Sequence, residues 1–246
     1  ATGQFQSLAV SPDGLKLAFT ARGDVFAAGV KDGGDAARLT RTPAAETSLA
    51  WAPDSRRLVY AAARGDRRAI YQYDFSTRQE SPLTDGAGDD YSPVFSPDGR
   101  SLAFIRDGRE LRVLTLETRQ HRLVASAELP PAFDVDRAIA WSPDGRWIAF
   151  LAAGEKSFTN AWVVEAAGGT PRAVSALPNA FSGGLLWSPD GTCLLMVTGQ
   201  RTELRQVARV DLVARAPRFR EDTFRDLFTR GEPPAGPAPG DGTAGP

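Results

Sequence analysis

Apolar side chains fall at consecutive positions in a series of short runs: Leu17-Ala18-Phe19, Leu58-Val59-Tyr60, Leu102-Ala103-Phe104-Ile105, Trp147-Ile148-Ala149-Phe150-Leu151 and Leu194-Leu195-Met196-Val197. Gly, Pro, Asp and Ser break the chain between them. Runs this short, bounded by turn residues, predict β-strands rather than helices. They do not alternate apolar with polar, so their sheets should be covered on both faces. Each run follows one turn signature: Ser11-Pro12-Asp13-Gly14, Ala52-Pro53-Asp54-Ser55, Ser96-Pro97-Asp98-Gly99, Ser142-Pro143-Asp144-Gly145 and Ser188-Pro189-Asp190-Gly191. Pro presets φ, Asp hydrogen-bonds its own backbone and Gly accepts positive φ, so each tetrapeptide predicts the tip of a hairpin. Val10, Trp51, Phe95, Trp141 or Trp187 ends the strand entering the tip.

The five aspartates recur 41 to 46 residues apart. That period suits four-stranded propeller blades; a helical solenoid of similar period is excluded by the β-rich runs and their turn residues. Within a repeat the pattern predicts a first, innermost strand ending at the tip, a second strand after it, a third, and a short outer one. The first repeat gives Phe5–Val10, a strand ending near Thr20, Val25–Val30 and Ala37–Thr40. The second gives Leu58–Ala62, Ile70–Phe75 and an outer segment at Ser81–Thr84. Leu39-Thr40 and Leu83-Thr84 stand at equivalent places. In the fifth, Pro217–Arg220 is the expected outer strand. The fold class is therefore all-β, a β-propeller with five visible four-stranded blades over residues 1–220. Phe224, Leu227 and Phe228 lie on one side of a short helix or cap expected at 221–230. Residues 231–246, mostly Gly, Pro and Ala, form a linker or disordered tail.

Composition narrows the function. The chain has 246 residues, 42% of them hydrophobic, ample for one repeat domain. A net charge of -1 gives no basic footprint for nucleic acid. No apolar stretch is long enough to span a bilayer, so direct membrane insertion is not expected. Cys193 is the lone cysteine and reads as a small buried hydrophobe. The chain opens on Ala1 without an initiator Met, which reads as a processed or excised piece, and the terminal linker reads as leading to a further domain.

Catalytic sets are missing from the pattern. His121 is the single histidine, expected on an exposed outer strand, and no Gly-x-Ser-x-Gly elbow is present. One His and one Cys do not make a zinc site, and the glycines lack a phosphate-loop context. No catalytic residue, metal or cofactor is expected. Arg22-Gly23-Asp24 and Arg64-Gly65-Asp66 spell the adhesion tripeptide, but both fall where a tight loop wants Gly. Asp89-Asp90 and Asp134/Asp136 read as solvated loop carboxylates, or as acidic rims between blades.

In a propeller the loops between second and third strands share one face with the inter-blade connections. Here they carry Arg64, Arg67, Arg68, Arg106, Arg109, Lys156 and Arg201, suited to peptide carboxylates. The longest connection, Ala125–Arg137, adds Pro130-Pro131 and an apolar Phe133. The expected site is a protein- or peptide-binding face made of Arg64, Arg68, Arg106, Phe133, Asp134 and Asp136. Its plain alternative is a solvated face with Phe133 folded back as a lid.

The five [Trp/Phe/Val]-[Ser/Ala]-Pro-Asp-[Gly/Ser] hairpins resemble the repeats of TolB-type propellers and of the propellers of tricorn-like and prolyl oligopeptidase-type proteases. The resemblance covers residues 5 to about 220 and is specific for fold. It implies one of two roles. The first is a non-catalytic module that binds protein or peptide in the periplasm or outside the cell, with the cytoplasm still open. The second is a substrate-gating propeller of a tricorn-like serine peptidase whose catalytic domain follows in the parent chain, a reading that the tail at Val210–Leu212 and Pro217–Asp222 also suggests. The families it resembles have six or seven blades. The five visible here either close on themselves or form part of such a ring.

Overall fold

The computed structural model describes residues 5–31, 35–131, 137–154, 157–179, 181–199 and 205–213. The chain divides into two compact units, Ala1–Leu212 and Val213–Pro246; in the second only Val213 is described. The outer strand expected at Pro217–Arg220, the helix at 221–230 and the tail at 231–246 lie outside the described residues.

The first unit is all-β among the described residues, in five antiparallel sheets. The first contains β1 (Phe5–Val10), β2 (Lys16–Ala21), β3 (Asp24–Gly29) and β4 (Ala37–Arg38). The second contains β5 (Glu46–Trp51), β6 (Arg57–Ala63), β7 (Arg68–Asp74) and β8 (Gln79–Pro82). The third contains β9 (Asp90–Phe95), β10 (Ser101–Arg106), β11 (Glu110–Thr115) and β12 (His121–Ser126). The fourth contains β13 (Ile139–Trp141), β14 (Trp147–Ala153), β15 (Thr159–Glu165) and β16 (Arg172–Ala173). The fifth contains β17 (Phe181–Trp187), β18 (Cys193–Gly199) and β19 (Gln206–Asp211). Each sheet is a meander in chain order, and the first strands of successive sheets lie beside one another, as blades around an axis require.

Local chemistry sets the tips. The Ser142 hydroxyl donates to Asp144 Oδ1 at 2.5 Å and accepts the Trp147 N–H at 2.9 Å, while Asp144 Oδ1 also accepts the Arg146 N–H at 3.0 Å. The same closure recurs at Ser11/Asp13, Ser96/Asp98 and Ser188/Asp190. These bonds hold the tip carboxylates below the usual range; Asp190 falls to about 2, chiefly through Ser188. Ala52 has no hydroxyl; there Asp54 Oδ1 still accepts the Arg56 N–H at 2.8 Å and Oδ2 takes Arg57 Nε at 2.8 Å, as Asp13 Oδ2 takes Lys16 Nζ in the first tip. Ser55 holds φ +57°, where the other four tips carry Gly, and its hydroxyl accepts the Asp13 N–H at 3.0 Å from the preceding tip.

The junctions between sheets follow one plan. Trp51, Trp141 and Trp187 each donate the indole N–H to a carbonyl of the preceding first strand: Ala9, Val94 and Ala140, at 3.0, 3.1 and 3.0 Å. Phe95 takes that place in the third sheet and packs without such a bond, 7% exposed. Tips nest as well. A Cβ built on Gly99, Gly145 or Gly191 would stand 3.5, 3.8 or 3.8 Å from Cδ of the preceding tip's Pro53, Pro97 or Pro143. Alternate side chains of β6, β10 and β14 therefore enter different cores, and Leu58, Tyr60, Val59, Leu102, Phe104, Ile148 and Leu151 are all fully buried.

Four first strands also carry a bulge, at Phe5/Leu8, Thr47/Ala50, Tyr91/Val94 and Gly183/Leu186. Ser48, Ser92 and Gly184, three residues before the aromatic in their repeats, sit there at φ +57°, +52° and +59°. Two residues then oppose one and the strand bends. The opposed residues, Tyr60, Phe104 and Met196, are fully buried.

Candidate binding face

The loops opposite the tips are tied down at their bases. Thr40 and Thr84, at the equivalent places seen in the sequence, accept backbone N–H groups of Val25 and Ile70 at 2.8 and 3.0 Å; Ser175 does the same for Ala161 at 2.9 Å. Glu46 N–H donates to the Gly23 carbonyl, Asp107 N–H to that of Asp89, and Leu129 N–H to that of Gly108. The long connection is further held by Tyr91, whose hydroxyl donates to the Pro130 carbonyl at 3.0 Å. Burial pushes that phenol up to about 12.

Arginines alternate with carboxylates across this face. Arg106, at the end of β10, pairs with Asp90 through Nε at 2.6 Å and Nη2 at 2.9 Å, and with Asp85 at 3.2 Å. Its side chain is 9% exposed and Asp90 is fully buried. Gly88 makes room for it, since a Cβ there would stand 2.6 Å from Arg106 Cγ and Cδ. Arg68 grips Asp89 at 2.8 and 2.5 Å and lies over the Tyr91 ring. Arg64 holds both oxygens of Glu80 at 2.6 and 2.5 Å, stands over the Tyr71 ring at 4.0 Å and lies 3.7 Å from the buried Glu46. Tyr60 donates to Glu80 as well. Each guanidinium is raised, first by its carboxylate partner. Burial raises Glu46, and hydrogen bonds from Thr42 and Thr40 only partly offset it.

The expected site residues therefore divide. Arg64, Arg68 and Arg106 lie on the loop face as expected, but each already has a carboxylate within the chain, and a direct grip on a ligand would break that pair. Asp89 and Asp90 are consumed in the same pairs. Phe133, Asp134 and Asp136 lie outside the described residues, as do Lys156 and Arg201. Arg67 and Arg109 do present exposed side chains there, Arg67 with a longer contact of 3.4 Å to Asp107. Of the two adhesion-like tripeptides, the second lies in the exposed loop between β6 and β7, with its Arg64 paired to Glu80, and the first does not form an open loop. Arg22-Gly23 makes a two-residue turn at φ +53° and +90°, and Asp24 is buried against Arg38 at 2.6 Å.

His121 corrects the expectation of an exposed histidine. It is half-buried, edge-on to Phe104, with Nδ1 accepting from Arg112 Nε at 3.2 Å. Burial, then Arg106 and Arg112, lowers its pKa. It lines a shallow cleft of about 350 Å³ with Pro82, Leu83, Thr84, Asp85 and Arg119. Among the described residues no three His, Cys, Asp or Glu side chains gather in a way that would hold a metal ion, and no helix is long and apolar enough to cross a membrane.

The family described as TolB beta propeller domain matches residues 1–131, more than half of the chain. The chain belongs to the TolB β-propeller family. The dipeptidyl-peptidase 5 of Porphyromonas gingivalis is 32% identical to it over 129 residues, 47% of this chain and 19% of that enzyme. The aligned stretch is thus about a fifth of its relative's length. The structure assigned as TolB from Agrobacterium tumefaciens superimposes with a TM-score of 0.69 at 18% identity, covering 86% of this chain and 78% of the other. The tricorn protease superimposes with a TM-score of 0.63 at 14% identity, covering 89% of this chain and 23% of the protease. At these identities the two structures speak for the fold. This TolB-family chain is a propeller-fold unit with sequence similarity to a peptidase.

Proposed function

We propose that the chain is a non-catalytic propeller module that binds a protein or peptide segment on its loop face, in the periplasm or outside the cell. The observation that carries the reading is the contrast between the two faces. The tips are one hydrogen-bonded structure, with their serines and aspartates used internally. The opposite loops vary in length and sequence on anchored bases, the usual setting for recognition. Arg64, Arg68 and Arg106 with their carboxylates form a rigid charged frame. Arg67 and Arg109 supply exposed guanidinium groups for a ligand carboxylate, and Phe133 supplies an apolar anchor beside Asp134 and Asp136.

The test is capture from a lysate of the source cells by wild-type chain, by an Arg67→Ala/Arg109→Ala/Phe133→Ala variant and by a tip variant, Arg100→Ala/Arg146→Ala. The reading expects a retained protein that the loop variant loses, that the tip variant keeps and that elutes as salt rises. Equal retention by all three overturns it.

The similarity to dipeptidyl-peptidase 5 favours a second reading, in which the same face guides peptides toward a serine peptidase domain of the parent chain. There, the loop variant made within the full parent protein would alter KM for long peptides and leave KM for dipeptide-sized substrates unchanged.

A further inference from the structure

The outer strands of the sheets are unequal. β4 and β16 have two residues each, and β8 has four and ends on Pro82. β12 has six, His121–Ser126, with no proline to blunt it. It is the last strand of the third sheet, and among the described residues no strand pairs with its outer side. The Thr115 N–H donates to the Gln120 carbonyl, and the register runs on through Leu114/His121 and Val113/Arg122 to Arg112/Leu123. Bonded pairs alternate along an antiparallel ladder. Arg122 therefore bonds to β11, while the N–H and C=O of His121 and Leu123 point to the open edge. The register shifts at Val124, so regular pairing stops there.

The two sides of this strand differ. His121 turns toward the second sheet, edge-on to Phe104, and lines the cleft with Leu83 and Arg119. Leu123, two positions on, lies on the same side and is 47% exposed. Arg122 lies on the other side, where its Nη2 donates to the Ala166 carbonyl at the end of β15. Arg119 Nη1 donates to the Pro82 carbonyl at 3.0 Å. Both guanidinium groups are exposed, and both meet neutral carbonyls where Arg64, Arg68 and Arg106 meet carboxylates. Asp85 and Glu110 are engaged by Arg106 and Arg112, and β12 itself carries no acid. The edge thus combines free backbone groups, an apolar side and positive charge that no contacting carboxylate offsets among the described residues.

We propose that an extended acidic segment of a partner protein adds to β12 as a short outer strand of the third sheet. Main-chain bonds to His121 and Leu123 supply the grip, and side chains alternate between the two sides. The residue opposite Arg122 is acidic and lies on the side of its guanidinium. The residue opposite Leu123 is apolar, and the one opposite His121 lies over the cleft beside Arg119. Charge argues against two other occupants. A second copy of β12 would bring its own Arg119 and Arg122 against these. Residues 214–230 of this chain hold five arginines and three acids, so they bring charge of the same sign. The edge is separate from the loop face, and either could bind without the other.

The test is amide NMR on the full 246-residue chain, titrated with a capped peptide of alternating Glu and Val and with a second peptide carrying Lys for Glu. The acidic peptide should shift the His121 and Leu123 amides most, leaving the loops at Arg67 and Arg109 and the tips unmoved. The basic peptide should shift none of them. Leu123→Pro removes an outward N–H without touching a bond to β11 and should abolish the shift at His121. Arg119→Gln/Arg122→Gln should weaken binding roughly threefold, and it decides the matter if the proline variant does not fold. No shift along β12, an equal shift with the basic peptide, or undiminished binding by the folded variants overturns the proposal. So do shifts confined to the loops at Arg67 and Arg109, which would assign the acidic segment to the loop face. Shifts at His121 and Leu123 that grow with protein concentration alone would assign the edge to a second copy and overturn it too.

Discussion

Arg106 and Arg68 occupy neighbouring places on the loop face, yet removing them should have unequal effects. Arg106→Ala would leave Asp90, fully buried, without its partner. The expected loss is about 3–5 kcal/mol, as for other buried pairs broken on one side. Arg68 and Asp89 are 23% and 35% exposed, and Arg68→Ala should cost no more than about 1 kcal/mol. Chemical denaturation separates the two. Acid should do so as well. Arg68 and the backbone N–H it carries hold Asp89 below its ordinary value, so this carboxylate stabilises the fold above a pH of about 4, and the contribution fades as pH falls through the depressed folded value. Arg68→Ala should flatten the acid limb of the stability curve. Glu46 has the opposite sign. Its pKa is raised, so its stabilising share is complete at low pH and is lost as pH rises through the raised value. Glu46→Gln should therefore compare better with wild type at pH 7 than at pH 4. Sequence alone placed these arginines at the second-to-third-strand loops and misjudged their freedom. Their partners Glu80, Asp89 and Asp90 stand 16 or 21 positions away on other strands or connections, and only strand register brings them together.

At the scale of elements, the hairpin tip was legible because all its chemistry lies within a few residues: Ser, Asp and Gly close it without help from the rest of the fold. The tip-to-tip bond from Asp13 to Ser55 was not legible, since it links residues 42 apart. It predicts a graded series. Ser55→Ala keeps the strained positive φ and loses the hydrogen bond, at about 1 kcal/mol. Ser55→Gly also loses the bond but relieves the backbone, and should lie closer to wild type. The junction aromatics behave likewise. Trp141→Phe keeps most of the packing and loses the bond to Val94, about 1 kcal/mol. Trp141→Ala also opens a cavity and should cost about 3 kcal/mol. Thermal or urea unfolding ranks all four. The bulges at Ser48 and Ser92 escaped the sequence reading because serine gives no sign of positive φ. Gly184, in the same frame, was the one available signal.

For the whole molecule, five repeats named the architecture, while which sheet faces lie open depended on neighbours that a repeat motif cannot report. Leu17 and Leu58 follow equivalent tips and look alike in sequence, yet among the described residues only Leu58 has a sheet against it. The chain alone should turn over no fluorogenic peptide or simple ester; activity that persists through purification and disappears with His121→Ala would contradict this. The central claim is that recognition belongs to the loop face. Amide hydrogen exchange of the chain with its captured partner tests it most directly. Protection should appear at the second-to-third-strand loops around Arg67 and Arg109 and along the connection from Ala127 to Arg137, with the tips around Asp54, Asp98 and Asp144 unchanged. Protection confined to the tips, or to the outer faces of the first and last sheets, would contradict it.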